Sequence, residues 1–233
     1  MNKYVTVILI IVSVIVLFPR TASAQNETVI NLPNYDTRFL RYGFLIGIHR
    51  SNYELRYSDT WLDSVNIHSI QPQNSFGFTL GFIVNAHLAE HFDIRFLPSV
   101  GFYEHMVEYN YLNRPQEIQN VEATNIELPI LLKYKSQRRG NVRMYVIGGT
   151  KFSIEASGKK EEDGVEDGLF TKSNNISIEA GFGFDMYFPL FKFSPEIRYS
   201  RGISNVLQPR VNRFTTSIDR LTNNSITLYL LFE

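Results

Sequence analysis

A strict two-residue alternation limits what this chain can fold into more than any other feature. Residues 76–82 set bulky apolar Phe76, Phe78, Leu80 and Phe82 against small Gly77, Thr79 and Gly81. Successive side chains of a strand point to opposite faces, so this segment is a ribbon with one greasy face and one small or polar face. About eight segments share the pattern. Two-faced strands of this kind fit a barrel that has lipid outside and polar atoms inside.

The N-terminus reads as an export signal. Lys3 precedes an apolar run from Tyr4 to Phe18, and Ala22-Ser23-Ala24 is a small-residue cleavage site. The run stops at Pro19-Arg20, short of the roughly 20 apolar residues that a membrane-spanning helix needs. Residues 1–24 are therefore expected to be a signal peptide, 25–40 a polar leader in the periplasm or against the barrel mouth, and 41–233 one barrel domain.

Composition removes several function classes. Taking Lys3 and Arg20 from the 23 bases leaves them slightly fewer than the 23 acids, so there is no basic field for nucleic acid. Cysteine is absent, which rules out disulfides and thiolate metal sites. The 18 Phe and 13 Tyr suit an outer wall with interfacial girdles.

The expected strands begin near Tyr42, Phe76, Phe92, Asn125, Met144, Ile176, Pro195 and Ile226. Pro98 is expected to interrupt the third and mark a bulge, and Pro129 to break the fourth locally, because proline cannot donate to a neighbouring strand. Long segments are expected at about 50–74, 104–122, 157–173 and 202–221, with the acidic run Glu161-Glu162-Asp163 exposed in the third. The links at 85–91, 135–141 and Pro189-Leu190 are short. Alternating long and short connections between eight strands predict an all-β, antiparallel, up-and-down transmembrane barrel in the outer membrane, with both termini periplasmic.

Eight strands enclose a space just wide enough to be filled by side chains. The inward parity collects Asp93, Arg95, Glu127, Lys133, Glu179, Asp185, Glu196 and Arg198. Isolated charges in so narrow a core are costly, so these are expected to pair as a network that plugs the lumen. Enzyme motifs are wanting: there is no Gly-x-Ser-x-Gly elbow and no phosphate loop. His87 and His91 fall in an expected turn without a zinc motif, and His49, His68 and His105 on or near outer loops. His105 with Glu104 would be the pair for a rim enzyme. No catalytic residue, cofactor or metal is assigned.

Four phrases carry a resemblance. They are Asn31-Leu32-Pro33-Asn34-Tyr35-Asp36, Phe92-Asp93-Ile94-Arg95-Phe96-Leu97-Pro98, Glu127-Leu128-Pro129-Ile130-Leu131-Leu132-Lys133-Tyr134-Lys135, and Phe191-Lys192-Phe193-Ser194-Pro195-Glu196-Ile197-Arg198. Through them the chain resembles the PorT family, outer-membrane barrels of the type IX secretion system of gliding or protease-secreting bacteria. The resemblance implies a role in moving cargo proteins across the outer membrane and supplies no catalytic residue. The expected function is a non-enzymatic accessory or assembly subunit, with outer-membrane lipid and other secretion proteins as partners. The alternative is a structural or adhesive barrel that binds a surface partner through long loops. Asn31, Leu32, Pro33, Asn34, Tyr35 and Asp36 are the candidate docking residues, on the side facing the secretion machinery.

Overall fold

The computed structural model describes residues 29–58, 67–111, 115, 117–156, 171–208 and 218–233. The expected signal peptide, residues 25–28 of the leader, the acidic run at 161–163 and the side chain of His68 lie outside the described residues.

All the secondary structure described is antiparallel β. The strands are β1 (Leu40–Tyr57), β2 (Ile67–Gln73), β3 (Ser75–Ala89), β4 (Phe92–Phe96), β5 (Ser99–Tyr111), β6 (Glu117–Lys135), β7 (Val142–Glu155), β8 (Asn174–Tyr187), β9 (Lys192–Gly202) and β10 (Ile218–Phe232). Only Asn74 separates β2 from β3, and only Leu97-Pro98 separates β4 from β5, so the ten strands make eight staves. Each stave pairs with its sequence neighbour, and β1 pairs with both β3 and β10, which closes the sheet. Phe44 sits on the closing rung, opposite Phe82 on one side and Phe232 on the other. The Phe44 and Phe232 rings stack at 4.9 Å on the outer wall. A closed ring leaves no unpaired edge.

The alternation sorts side chains as a barrel requires. Phe44, Ile48, Phe76, Phe78, Phe82, Ile130, Met144, Phe182 and Ile226 are exposed on the outer wall, while the residues that alternate with them are buried or half-buried. An aromatic fringe of Tyr42, Phe92, Tyr134, Phe188 and Phe191 marks the end where β1 starts and β10 finishes, here called the near end. Interior volume is balanced by glycine. A Cβ on Gly183 would lie 2.5 Å from the Tyr145 hydroxyl, and one on Gly47 2.7 Å from the Tyr229 ring, so these glycines make room for the two large tyrosines.

Three expectations are corrected. Pro98 marks no bulge: Phe96 lies opposite Ile130 and Ser99 opposite Glu127, so both strands advance equally across the gap. The ladder lapses there because Pro98 has no N–H, although its carbonyl still accepts from the Phe82 N–H at 2.9 Å. Pro129 does not break its strand; β6 runs through it, with Pro129 opposite Lys151. Two of the four segments expected to be long loops, at about 50–74 and 104–122, are largely strand at the far end, since β1 reaches Tyr57, β2 fills 67–73, β5 reaches Tyr111 and β6 starts at Glu117, while 157–170 and 209–217 lie outside the described residues.

The reason is that the polarity of the two faces inverts along the staves. Above the apolar band the outer face turns polar (Arg50, Glu54, Arg56) and the inner face turns apolar (Tyr53, Val107, Tyr109, Ile70). Period two persists while the sign of the pattern flips. The inner residues build an apolar core at the far end with Val206, Leu207, Ile218 and Leu221. A second apolar cluster, Leu45, Ile83, Leu97, Leu131, Tyr145, Ile147, Tyr229 and Leu231, lies deeper in the barrel.

Candidate functional site

Asp93, Arg95, Glu127, Lys133, Glu179, Asp185, Glu196 and Arg198 all point into the barrel and are buried. Their positions follow from strand parity: each shares the inward register of its stave. The fold joins them into runs of alternating charge. Lys133 Nζ donates to both Asp185 oxygens at 2.8 and 2.7 Å and lies over the Tyr145 ring at 3.7 Å. Arg95 donates to Glu196 at 3.0 Å and to Glu233 at 3.2 Å. Arg198 joins Glu196 to Glu179, donating to Glu179 at 3.0 Å and to Glu196 through Nε at 2.9 Å. Lys151 then joins Glu179, at 3.2 Å, to Glu127 at 2.9 Å. Tyrosine hydroxyls complete the run, with Tyr145 donating to Glu196 at 2.8 Å and Tyr103 to Glu127 at 2.5 Å.

Five further members of this network were not singled out from sequence. Arg41 and Lys135 both donate to Asp93 at 2.6 Å. Lys151 holds two acids, and Lys192 donates to Glu233 at 2.5 Å. Glu233, the residue after Phe232, is an interior acid with its side chain fully buried. The signal was present for all five. Each keeps the inward parity of its stave, and Lys192 was passed over because β9 starts three residues before Pro195.

The near end is closed by the leader. Tyr35 is buried against Tyr187 with ring centroids 6.2 Å apart, and its hydroxyl donates to Glu233 at 3.3 Å. Burial, reinforced by the Glu233 carboxylate, pushes the Tyr35 phenol well above its ordinary range, so it remains a neutral donor. Asp36 accepts from Arg143 at 3.0 and 3.2 Å, from the Tyr187 hydroxyl at 2.8 Å and from Arg41 at 3.4 Å. Asn31 donates its backbone N–H to Asn141 at 2.9 Å and its amide to the Tyr187 carbonyl at 3.0 Å. Arg138 donates to the Leu32 carbonyl at 3.4 Å and to the Asn31 carbonyl. Leu32 itself adopts φ 50°, a left-handed turn that costs an L-residue about 1–2 kcal/mol. Of the six candidate docking residues, Pro33 and Asn34 are the exposed ones, and Asn31, Tyr35 and Asp36 are engaged by the barrel.

Charge counting explains the acid in the leader. Among the described residues, eight buried bases (Arg41, Arg95, Lys133, Lys135, Arg143, Lys151, Lys192, Arg198) face six interior acids in or just after the strands (Asp93, Glu127, Glu179, Asp185, Glu196, Glu233). Asp36 is the seventh acid, placed against the basic near end.

The histidines sit differently from expectation. His49 and His105 are inside the barrel, not on loops. His49 stacks on Tyr103 at 4.1 Å and His105 on Tyr53 at 4.1 Å. His105 is buried while Glu104, the residue before it, faces out, so strand parity separates the suggested rim pair. His87 contacts Asp93 at 2.9 Å, and His91 contacts the Lys135 carbonyl at 3.2 Å.

A closed antiparallel ring with a greasy outer wall and an ion-paired, filled centre defines a transmembrane β-barrel. The chain belongs to the outer membrane protein beta-barrel domain family, whose model matches residues 23–208, and it is thus a bacterial outer-membrane protein. Among solved structures it is similar to the outer membrane protein OprG from Pseudomonas aeruginosa, at 12% identity over 82% of this chain and 93% of that one, with a TM-score of 0.45. It is similar to Neisserial surface protein A at 8% identity, covering 83% and 98%, with a TM-score of 0.43. It is also similar to Ail, the attachment invasion locus protein of Yersinia pestis, at 12% identity, covering 82% and 96%, with a TM-score of 0.35. No curated protein matches the sequence.

Proposed function

We propose that this protein is a non-enzymatic accessory or assembly subunit of a type IX protein-secretion apparatus, with the near end and both termini in the periplasm. One observation carries the general part of the reading: the lumen is filled. An apolar core at the far end, several clusters of buried ion pairs and the docked leader occupy it in turn. Folded cargo has no path through such a barrel, so its work falls to its ends and its wall. The short links at 90–91, 136–141 and 188–191 all lie at the near end, as periplasmic turns do in this class. The secretion role itself rests on the PorT-like phrases in the leader and in the fourth, sixth and ninth strands.

Deleting the gene tests this directly. Cargo proteins should accumulate in the periplasm while outer-membrane integrity is kept; unchanged secretion overturns the role. A second reading, an adhesive surface barrel, is favoured by the staves that continue beyond the apolar band with a polar outer face. Shortening the 203–217 connection should abolish surface binding under that reading and leave secretion intact.

A further inference from the structure

Above the apolar band, the outer faces of β1, β9 and β10 form an open groove of about 350 Å³ lined by Glu54, Arg56, Arg201, Ile203, Arg220 and Thr222. Arg56 and Arg220 are directly opposite each other on neighbouring strands. Like charges in that position repel, and a sheet tolerates them best when an anion lies between them. The available acids do not neutralise them. Arg56 is 3.7 Å from Asp219 and Arg201 is 3.8 Å from Glu54, with all four side chains more than half exposed. Such long, solvated pairs contribute little. Arg220 donates to the Ile203 carbonyl at 2.7 Å, which fixes its stem along the groove. Thr222 points outward yet is only 7% exposed, so the groove has a floor. Arg50, also exposed, lies on β1 four residues nearer the membrane centre than Glu54.

The position of the groove selects the ligand. Toward the membrane centre the wall of the same three staves becomes apolar: Tyr199 and Ile197 lie two and four residues from Arg201, Ile226 and Leu228 four and six from Thr222, and Ile48 six from Glu54, all exposed. At about 3.3 Å per strand residue, this wall begins about 7 Å from the groove on β9, about 13 Å on β10 and about 20 Å on β1. A molecule whose phosphate meets Arg201 and its neighbouring arginines can therefore lay its acyl chains over Tyr199 and Ile197 on β9 without leaving the wall.

We propose that the groove binds the phosphorylated headgroup of a glycolipid in the membrane leaflet at the far end, which is the external leaflet under the orientation proposed above. Guanidinium groups engage phosphate oxygens through paired hydrogen bonds, and basic residues at a membrane surface attract anionic lipid.

Native mass spectrometry on the detergent-purified barrel tests this with diphosphoryl lipid A, its dephosphorylated counterpart and inorganic phosphate. The wild-type protein should hold diphosphoryl lipid A at least about tenfold more tightly than the dephosphorylated lipid. The triple variant Arg56→Ala, Arg201→Ala, Arg220→Ala should lose that preference while keeping its heat-modifiable migration. Arg139→Ala, at the opposite end, should keep it. Millimolar phosphate should displace little lipid, because it lacks the acyl anchor. Equal affinity of the wild type for both lipids overturns the proposal, and this arm needs no variant to fold. Undiminished binding by the folded triple variant, or displacement by phosphate at concentrations matching the lipid, overturns it as well. The detergent assay is independent of the secretion role and of orientation. Labelling of Arg56→Cys on intact cells checks the leaflet: reaction with an impermeant thiol reagent supports the external leaflet, and protection until lysis overturns it.

Discussion

At the scale of single residues, the interior ions matter through their pairing. Lys133 and Asp185 are both fully enclosed, and Asp185 also accepts from the Ser194 hydroxyl at 2.7 Å. Removing one partner leaves an uncompensated charge, which costs about 3–5 kcal/mol, whereas replacing both with apolar residues of similar volume is often neutral. Asp185→Ala should therefore lower stability by about 3–5 kcal/mol in urea titrations that follow the folded band by gel migration. The double change Lys133→Met, Asp185→Leu should recover most of that loss. A single variant as stable as the wild type would refute the pairing. Strand parity revealed in advance which residues turn inward, including all eight singled out from sequence. It could not reveal which residue meets which across the lumen, because parity fixes a face and not a height. For that reason the partners of Lys151, which touches Glu127 and Glu179 from β7, and of Glu233, which touches Arg95 and Lys192, emerge only in three dimensions.

At the scale of elements, the staves were legible wherever they cross the apolar band, since there the greasy face is always outward. Their far ends were not, because residues such as Tyr53, Val107 and Tyr109 carry the apolar character on the inner face and a reading tuned to greasy exteriors passes over them. The leader was legible as a polar, non-strand segment, but its contacts depend on Arg138, Arg143 and Tyr187, more than a hundred residues away. Asp36 is the hub of that docking. Hydrogen bonds to charged groups contribute about 1.5–3 kcal/mol each when a partner is removed. Asp36→Ala should thus shift the leader toward an open state without unfolding the barrel, since local segments open independently of the global fold. Exposed Arg38 supplies a readout: trypsin should cut there at least about tenfold faster in the variant, with the heat-modifiable barrel band unchanged. Equal cleavage rates would show that Asp36 does not hold the leader.

For the whole molecule, the decisive question is whether the ring encloses a path. An eight-staved barrel leaves little more than the volume of its own side chains, and here that volume is taken by two apolar clusters separated by ion pairs. Tyr103 and Tyr145 stand across the lumen with their rings stacked on or beside charged and aromatic neighbours. Water could pass only if several of these groups moved together, and each holds a partner that would be left buried and unpaired. Purified protein in planar bilayers should therefore show no steady open-channel current at moderate voltage. The large-to-small change Tyr145→Gly would remove a ring that bridges Glu196, Arg95 and Lys133, and it should give rise to intermittent conductance steps where the wild type has none. A wild-type barrel with stable, large conductance would mean that the interior seal opens in the membrane, and a function exerted only through the ends and the wall would no longer follow.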